Sequence, residues 1–176
     1  MTYPTFTNGQ VLPASDLNAI GLWLVKSQTV GTGVSSVTVT GAFSADYNSY
    51  KIVWSGGAAS GNTQIGLRLG ATATGYYGGL MYNNVATPTP AGAVDNNATT
   101  FSYSCGGNSA YALANLDIHN PFAASYTLVN SINMSAINFG TYSGYLANTT
   151  SYTDFTIIPG GGTITGGTIS VYGYRK

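Results

Sequence analysis

The side chains that could do chemistry are few and widely spaced. His119 is the only histidine and Cys105 the only cysteine. Asp117 stands two residues before His119, so in a strand both leave the same face. That pattern is half a metal site, or a base with its orienting carboxylate. A structural zinc site takes about four ligands, and one Cys with one His fall short, which favours a plain histidine at a strand end. Cys105 has no flanking histidine or basic cluster to lower its pKa and reads as a packed thiol. Asp16, Asp46, Asp95, Asp117 and Asp154 are the only acids and there is no Glu, so no acid pair faces a substrate. No G-x-S-x-G elbow occurs. The runs GTG at 31–33 and GGG at 160–162 neither open a helix nor carry a Walker lysine. These residues imply no enzyme, no cofactor and no metal site.

Tyrosine, in contrast, is abundant, with fourteen copies. Tyr76, Tyr77 and Tyr82 form one cluster, Tyr142 and Tyr145 another. A phenol joins a large apolar ring to a hydrogen-bonding tip, which suits sugar stacking and protein interfaces. Strands also favour aromatics as cross-strand neighbours. Both uses stand open for these five residues.

Composition narrows the partners. Of 176 residues, 44% are hydrophobic and only 6% charged, with five acids balancing five bases. An average soluble domain is about 25% charged. Binding nucleic acid or an anionic membrane needs several Lys or Arg on one face, so neither is an expected partner. A net charge of zero favours association, and a homo-oligomer is expected. No apolar run approaches the ~18 residues of a membrane helix. The opening MTYPTFTNG lacks the basic and apolar regions of a signal peptide, so the chain is expected to fold in the cytosol where it is made. The N-x-S/T patterns at Asn97, Asn133 and Asn148 then carry little meaning.

Three parts follow from the patterning. Residues 1–13 read as an extended arm. A short helix is expected over 15–24, with Ser15 as N-cap, Asp16 in the first turn, and Leu17, Ile20, Trp23 and Leu24 on one stripe, although Gly21 weakens its middle. A helix this short must dock on something. We therefore divide the chain into an N-terminal arm with its attachment helix, 1–26, and a β-sandwich, 27–176. In the second part nine or ten short strands alternate with turn signals, as in an antiparallel sandwich or jelly roll. The segments YNSYKIVWSGG and TTSYTDFTIIPGG share a Tyr, an apolar strand and a glycine stop, and are read as equivalent strands of two sheets. Residues 87–97, TPTPAGAVDNN, read as an exposed loop.

These pieces resemble a known group. FTNGQVLPASDLNAI is similar to the N-terminal segment of many tailed-bacteriophage virion proteins: an aromatic, then Gly-x-x-Leu, then a short Ser-Asp-Leu-Asn helix. In FSADYNSYKIVWSGG, Phe43, Tyr47, Tyr50 and Ile52 match a recurrent aromatic pattern of their β-domains, Leu67-Arg68-Leu69 matches the next strand, and ISVYGYRK resembles the last one. The likeness covers about a third of the chain, and 70–120 contributes nothing to it. It implies a structural virion protein, a short fibre, appendage or capsid decoration protein, that docks on capsid or tail proteins through Leu17, Ile20, Trp23 and Leu24. It also implies a homotrimer. A receptor- or carbohydrate-binding head, with a host-surface glycan as partner, is the other function it allows.

Overall fold

The computed structural model describes residues 8–9, 11, 21–87 and 89–174. Thirteen strands occur in these residues: β1 Leu22–Thr29, β2 Val37–Val39, β3 Ser49–Ala59, β4 Thr63–Leu69, β5 Tyr76–Asn84, β6 Pro90–Ala98, β7 Phe101–Gly107, β8 Ala112–His119, β9 Thr127–Met134, β10 Asn138–Leu146, β11 Phe155–Pro159, β12 Ile164–Thr165 and β13 Thr168–Tyr174. All their pairings are antiparallel. The described residues contain no helix.

Two runs of strands make two layers. The long run is β1-β13-β3-β8-β9-β10-β5-β6 and the short run is β2-β11-β4-β7. They join where Gly106 and Gly107 of β7 pair with Leu113 and Ala112 of β8. Beyond that corner the short run folds over one face of the long one. Phe101 of β7 packs edge-on against Tyr76 of β5 at 4.8 Å and against Tyr142 of β10 at 6.4 Å. Ile52, Trp54, Leu116 and Val129 from the long run, with Leu67, Phe155 and Ile157 from the short run, complete the core, and all seven are buried. The two similar segments of the sequence supply β3 and β11, one in each layer.

The expected helix over 15–24 does not extend to its predicted end. Residues 12–20, including Leu17 and Ile20, lie outside the described residues. Trp23 and Leu24 belong to β1, whose Leu22, Trp23 and Leu24 pair with Tyr174, Gly173 and Tyr172 of β13. Gly21 has φ +91°, a left-handed conformation that ends any helix running through it. The β-layer therefore starts at Leu22 rather than at 27. A bulge follows Leu24, and Val25 turns in against the core. The expected loop at 87–97 is also corrected. Most of it is β6, an edge strand paired with β5. Pro90 opens that strand, a position where a missing N–H costs no ladder bond.

Candidate functional site

The long run has an inward face on the core and an outward face that no other strand among the described residues covers. Strand register fixes which outward side chains are neighbours. One row reads Ser49, His119, Leu128, Tyr145, Tyr77 across β3, β8, β9, β10 and β5. The next reads Tyr172, Lys51, Asp117, Asn130, Ser143, Gly79, Val94. A third holds Ile132, Thr141 and Met81, and a fourth Met134 and Phe139.

The face has two unlike halves. On β13, β3 and β8 it is polar, and its charged residues are paired with one another. Lys51 Nζ lies 3.2 Å from Asp117 Oδ2, and the Tyr174 hydroxyl donates to Asp117 Oδ1 at 2.5 Å. That hydrogen bond to the carboxylate, with some burial, pushes the Tyr174 phenol up to about 12. His119 Nδ1 meets Ser49 Oγ at 2.9 Å. Asp117 and His119 do share a face, but each is engaged by a cross-strand partner. Among the described residues no three His, Cys, Asp or Glu come together as metal ligands.

On β9, β10 and β5 the face is apolar, and these strands carry no charged residue. Leu128, Ile132, Met134, Phe139, Tyr145 and Met81 are exposed there, with Val94 beside them on β6. Tyr145 stacks between Tyr77, at 5.4 Å and 19°, and Tyr126, at 6.0 Å and 2°. A groove of about 340 Å³ crosses both halves, from Lys51 on β3 over Asn115 and Asp117 on β8 to Asn130 on β9 and Thr141 and Ser143 on β10. Ser143 Oγ bonds Asn130 Oδ1 at 2.9 Å across it. Asn115 Oδ1 is buried beside it with no hydrogen-bond partner.

The strand β9 is inverted relative to the usual rule. Thr127, Val129, Ser131 and Asn133 point inward, and Leu128, Asn130, Ile132 and Met134 point outward. A slip of one residue would bury the apolar set. Asn133 prevents it. Its Nδ2, with two protons to give, lies within hydrogen-bond distance of Tyr103 O at 2.8 Å, Cys105 O at 2.9 Å and Gln64 Oε1 at 2.6 Å. Those two carbonyls belong to β7, which leaves β8 after two pairs and would otherwise bury them unbonded. Close approach helps, since a Cβ at Gly106 would collide with the Met134 carbonyl. The inward register still has a cost, because Thr127 Oγ1, Ser131 Oγ and Asn133 Oδ1 are buried without partners.

The tyrosines noted from the sequence divide by burial. Tyr77 and Tyr145 are on the surface, in the stack. Tyr76 and Tyr142 are fully buried, so they leave the set of surface aromatics. Tyr76 Oη accepts from Leu69 N at 2.8 Å, and Tyr142 Oη donates to Asp95 Oδ2 at 2.7 Å. These anchored hydroxyls explain why tyrosine rather than phenylalanine fills the core there. Tyr82 is half-buried against the core. Trp23 and Leu24 are exposed on the edge strand, at 37% and 59%. Cys105 is fully buried, which pushes its thiol up to about 12, as expected of a packed thiol. Tyr126, Leu128, Ile132, Met134 and Phe139 were not singled out by the sequence. The alternation in TLVNSINM was a usable signal, but only with the inverted phase. Comparison with protein-family models, with curated proteins and with solved structures returned no match to this chain.

Proposed function

We propose that this chain is a non-enzymatic structural component of a tailed-bacteriophage virion, a short appendage or capsid decoration that assembles as a symmetric homo-oligomer. One observation carries the assembly part: the β9-β10-β5 face keeps its apolar side chains outward at the expense of unbonded polar atoms inside. A fold that holds this arrangement has a use for the apolar side outside, and contact with protein is the use its chemistry fits. The phage part is supported by the sequence resemblance, whose Phe43, Tyr50 and Ile52 are core residues here. The two-layer arrangement is read as a jelly-roll-like module. Residues 1–20, with Leu17 and Ile20, precede β1 in the sequence and are read as the docking segment for capsid or tail proteins. The resemblance favours a trimer, made in the host cytoplasm and carried on the particle. Peptides of this chain should appear in particles purified from lysates of the source culture. Their presence in the lysate with absence from particles would refute the virion reading.

The groove favours a second reading, a carbohydrate-binding head. It offers a carboxylate, amides and hydroxyls beside a tyrosine stack, the groups that bind neutral sugars. A glycan array decides this reading, and silence across neutral glycans removes it.

A further inference from the structure

Apart from Val11, the large apolar side chains exposed among the described residues fall into two groups. The first is the β1 edge: Leu22, Trp23 and Leu24, with Tyr174 beside them on β13. The second is the β9-β10-β5 face, continued to its tip by Val85 and Ile137, which are joined by a backbone bond of 2.8 Å. Building on the assembly reading above, we propose that the β1 edge of one copy seats on the β9-β10-β5 face of the next, a head-to-tail contact between unlike surfaces of the same chain.

Extent, charge and distance support this occupant. The face carries ten of the large exposed apolar side chains among the described residues, Met81, Val85, Val94, Tyr126, Leu128, Ile132, Met134, Ile137, Phe139 and Tyr145, a grouping of the kind that marks a protein-interaction surface. Among the described residues the only charges bordering it, Lys51 and Asp117, are closed on each other, so a charged partner gains nothing there. The edge that would cover it is apolar and carries a tryptophan, a residue enriched at interface centres. Within one copy the two groups cannot meet. Strands β13, β3 and β8 separate β1 from β9, which places them about 19 Å apart on one sheet. A contact between them therefore needs two molecules, and each copy keeps one edge and one face free for further neighbours. Such heterologous contacts close into rings when the rotation per step allows. A same-face contact would cover the β9-β10-β5 group and leave the β1 edge bare. The head-to-tail contact covers both groups at once.

Native mass spectrometry of mixed variants tests this. One chain carries Trp23→Ser with Leu24→Ser, and the other Ile132→Ser with Phe139→Ser. All four positions are exposed, and unchanged circular dichroism confirms folding; Leu22→Lys and Met81→Lys stand in should either pair misfold. Wild type should be a ring, each variant alone a monomer with association weakened at least tenfold, and the mixture a heterodimer of one chain of each kind and nothing larger. An edge variant that keeps the wild-type mass overturns the proposal and points to same-face pairing. A face variant that keeps that mass, or a mixture without heterodimer, also overturns it while wild-type oligomers leave the assembly reading intact. A wild-type monomer at micromolar concentration sinks both, and presence in particles is then the separate question.

Discussion

The two faces of β9 differ by a single residue step along the strand and by everything else. Inward lie Thr127, Ser131 and Asn133, which bond the stray carbonyls of β7 or go unbonded. Outward lie Leu128, Ile132 and Met134, which are exposed. The contrast teaches that a strand's phase is set by what the backbone opposite needs as well as by its own hydrophobicity. A buried carbonyl without a donor costs about 1–3 kcal/mol, and Asn133 answers two of them. The apolar side chains turned out by that choice are then available for contact with protein.

The largest effect should come from the inward face. Asn133→Ala strands the Tyr103 and Cys105 carbonyls, and it should lower the unfolding free energy by about 3 kcal/mol, read from urea denaturation. A loss under about 1 kcal/mol would break the account of the inverted register. On the outward face, Ile132→Ser with Phe139→Ser should change the stability of the dissociated chain by less than about 1 kcal/mol, because exposed strand positions span about that range. A larger loss would mean that these side chains belong to the core after all.

The polar half of the outward face is the control. Lys51→Met removes a partly exposed ion pair, and the change should stay within about 0.2–1 kcal/mol. The smallest effect is on titration. Tyr174 ionises near 12 in the fold because its hydroxyl donates a hydrogen bond to the Asp117 carboxylate, against about 10 unfolded. The fold thus favours the protonated phenol. Its contribution is fully present below pH 10 and is lost as pH rises through 12. Near-UV difference titration of wild type against Tyr174→Phe should show a late phenol, and Asp117→Asn should return it toward 10. A Tyr174 that titrates at 10 with Asp117 intact would remove the hydrogen bond from the description.

Much of the fold could be read before any coordinates. The alternation in QIGLRL and YKIVW gave β4 and β3 their inward sets, and the glycine stops gave their ends. β6 was hidden because its Pro, Gly and Asn residues are loop formers, tolerated on an edge strand where one side of the ladder is open. The start of β1 was hidden because LWLVK suits a helix face as well as a strand. Pairing with β13 decides it, and no local pattern reports a partner some 150 residues away. The candidate face was only half legible. Tyr77 and Tyr145 stood out as aromatics, but the aliphatic side chains around them looked like core, since pattern alone assigns apolar residues inward.

The pairing of β1 with β13 also sets an order of events during synthesis. Leu22–Thr29 is made well before its ladder partner Thr168–Tyr174, which lies some 140–150 residues further along the chain. At about 5–20 residues per second, the first strand waits several seconds on the ribosome without its neighbour. The Leu22-Trp23-Leu24 edge therefore cannot take its final shape until Thr168–Tyr174 has emerged, and a head-to-tail contact that uses it can begin only between chains that have reached that point.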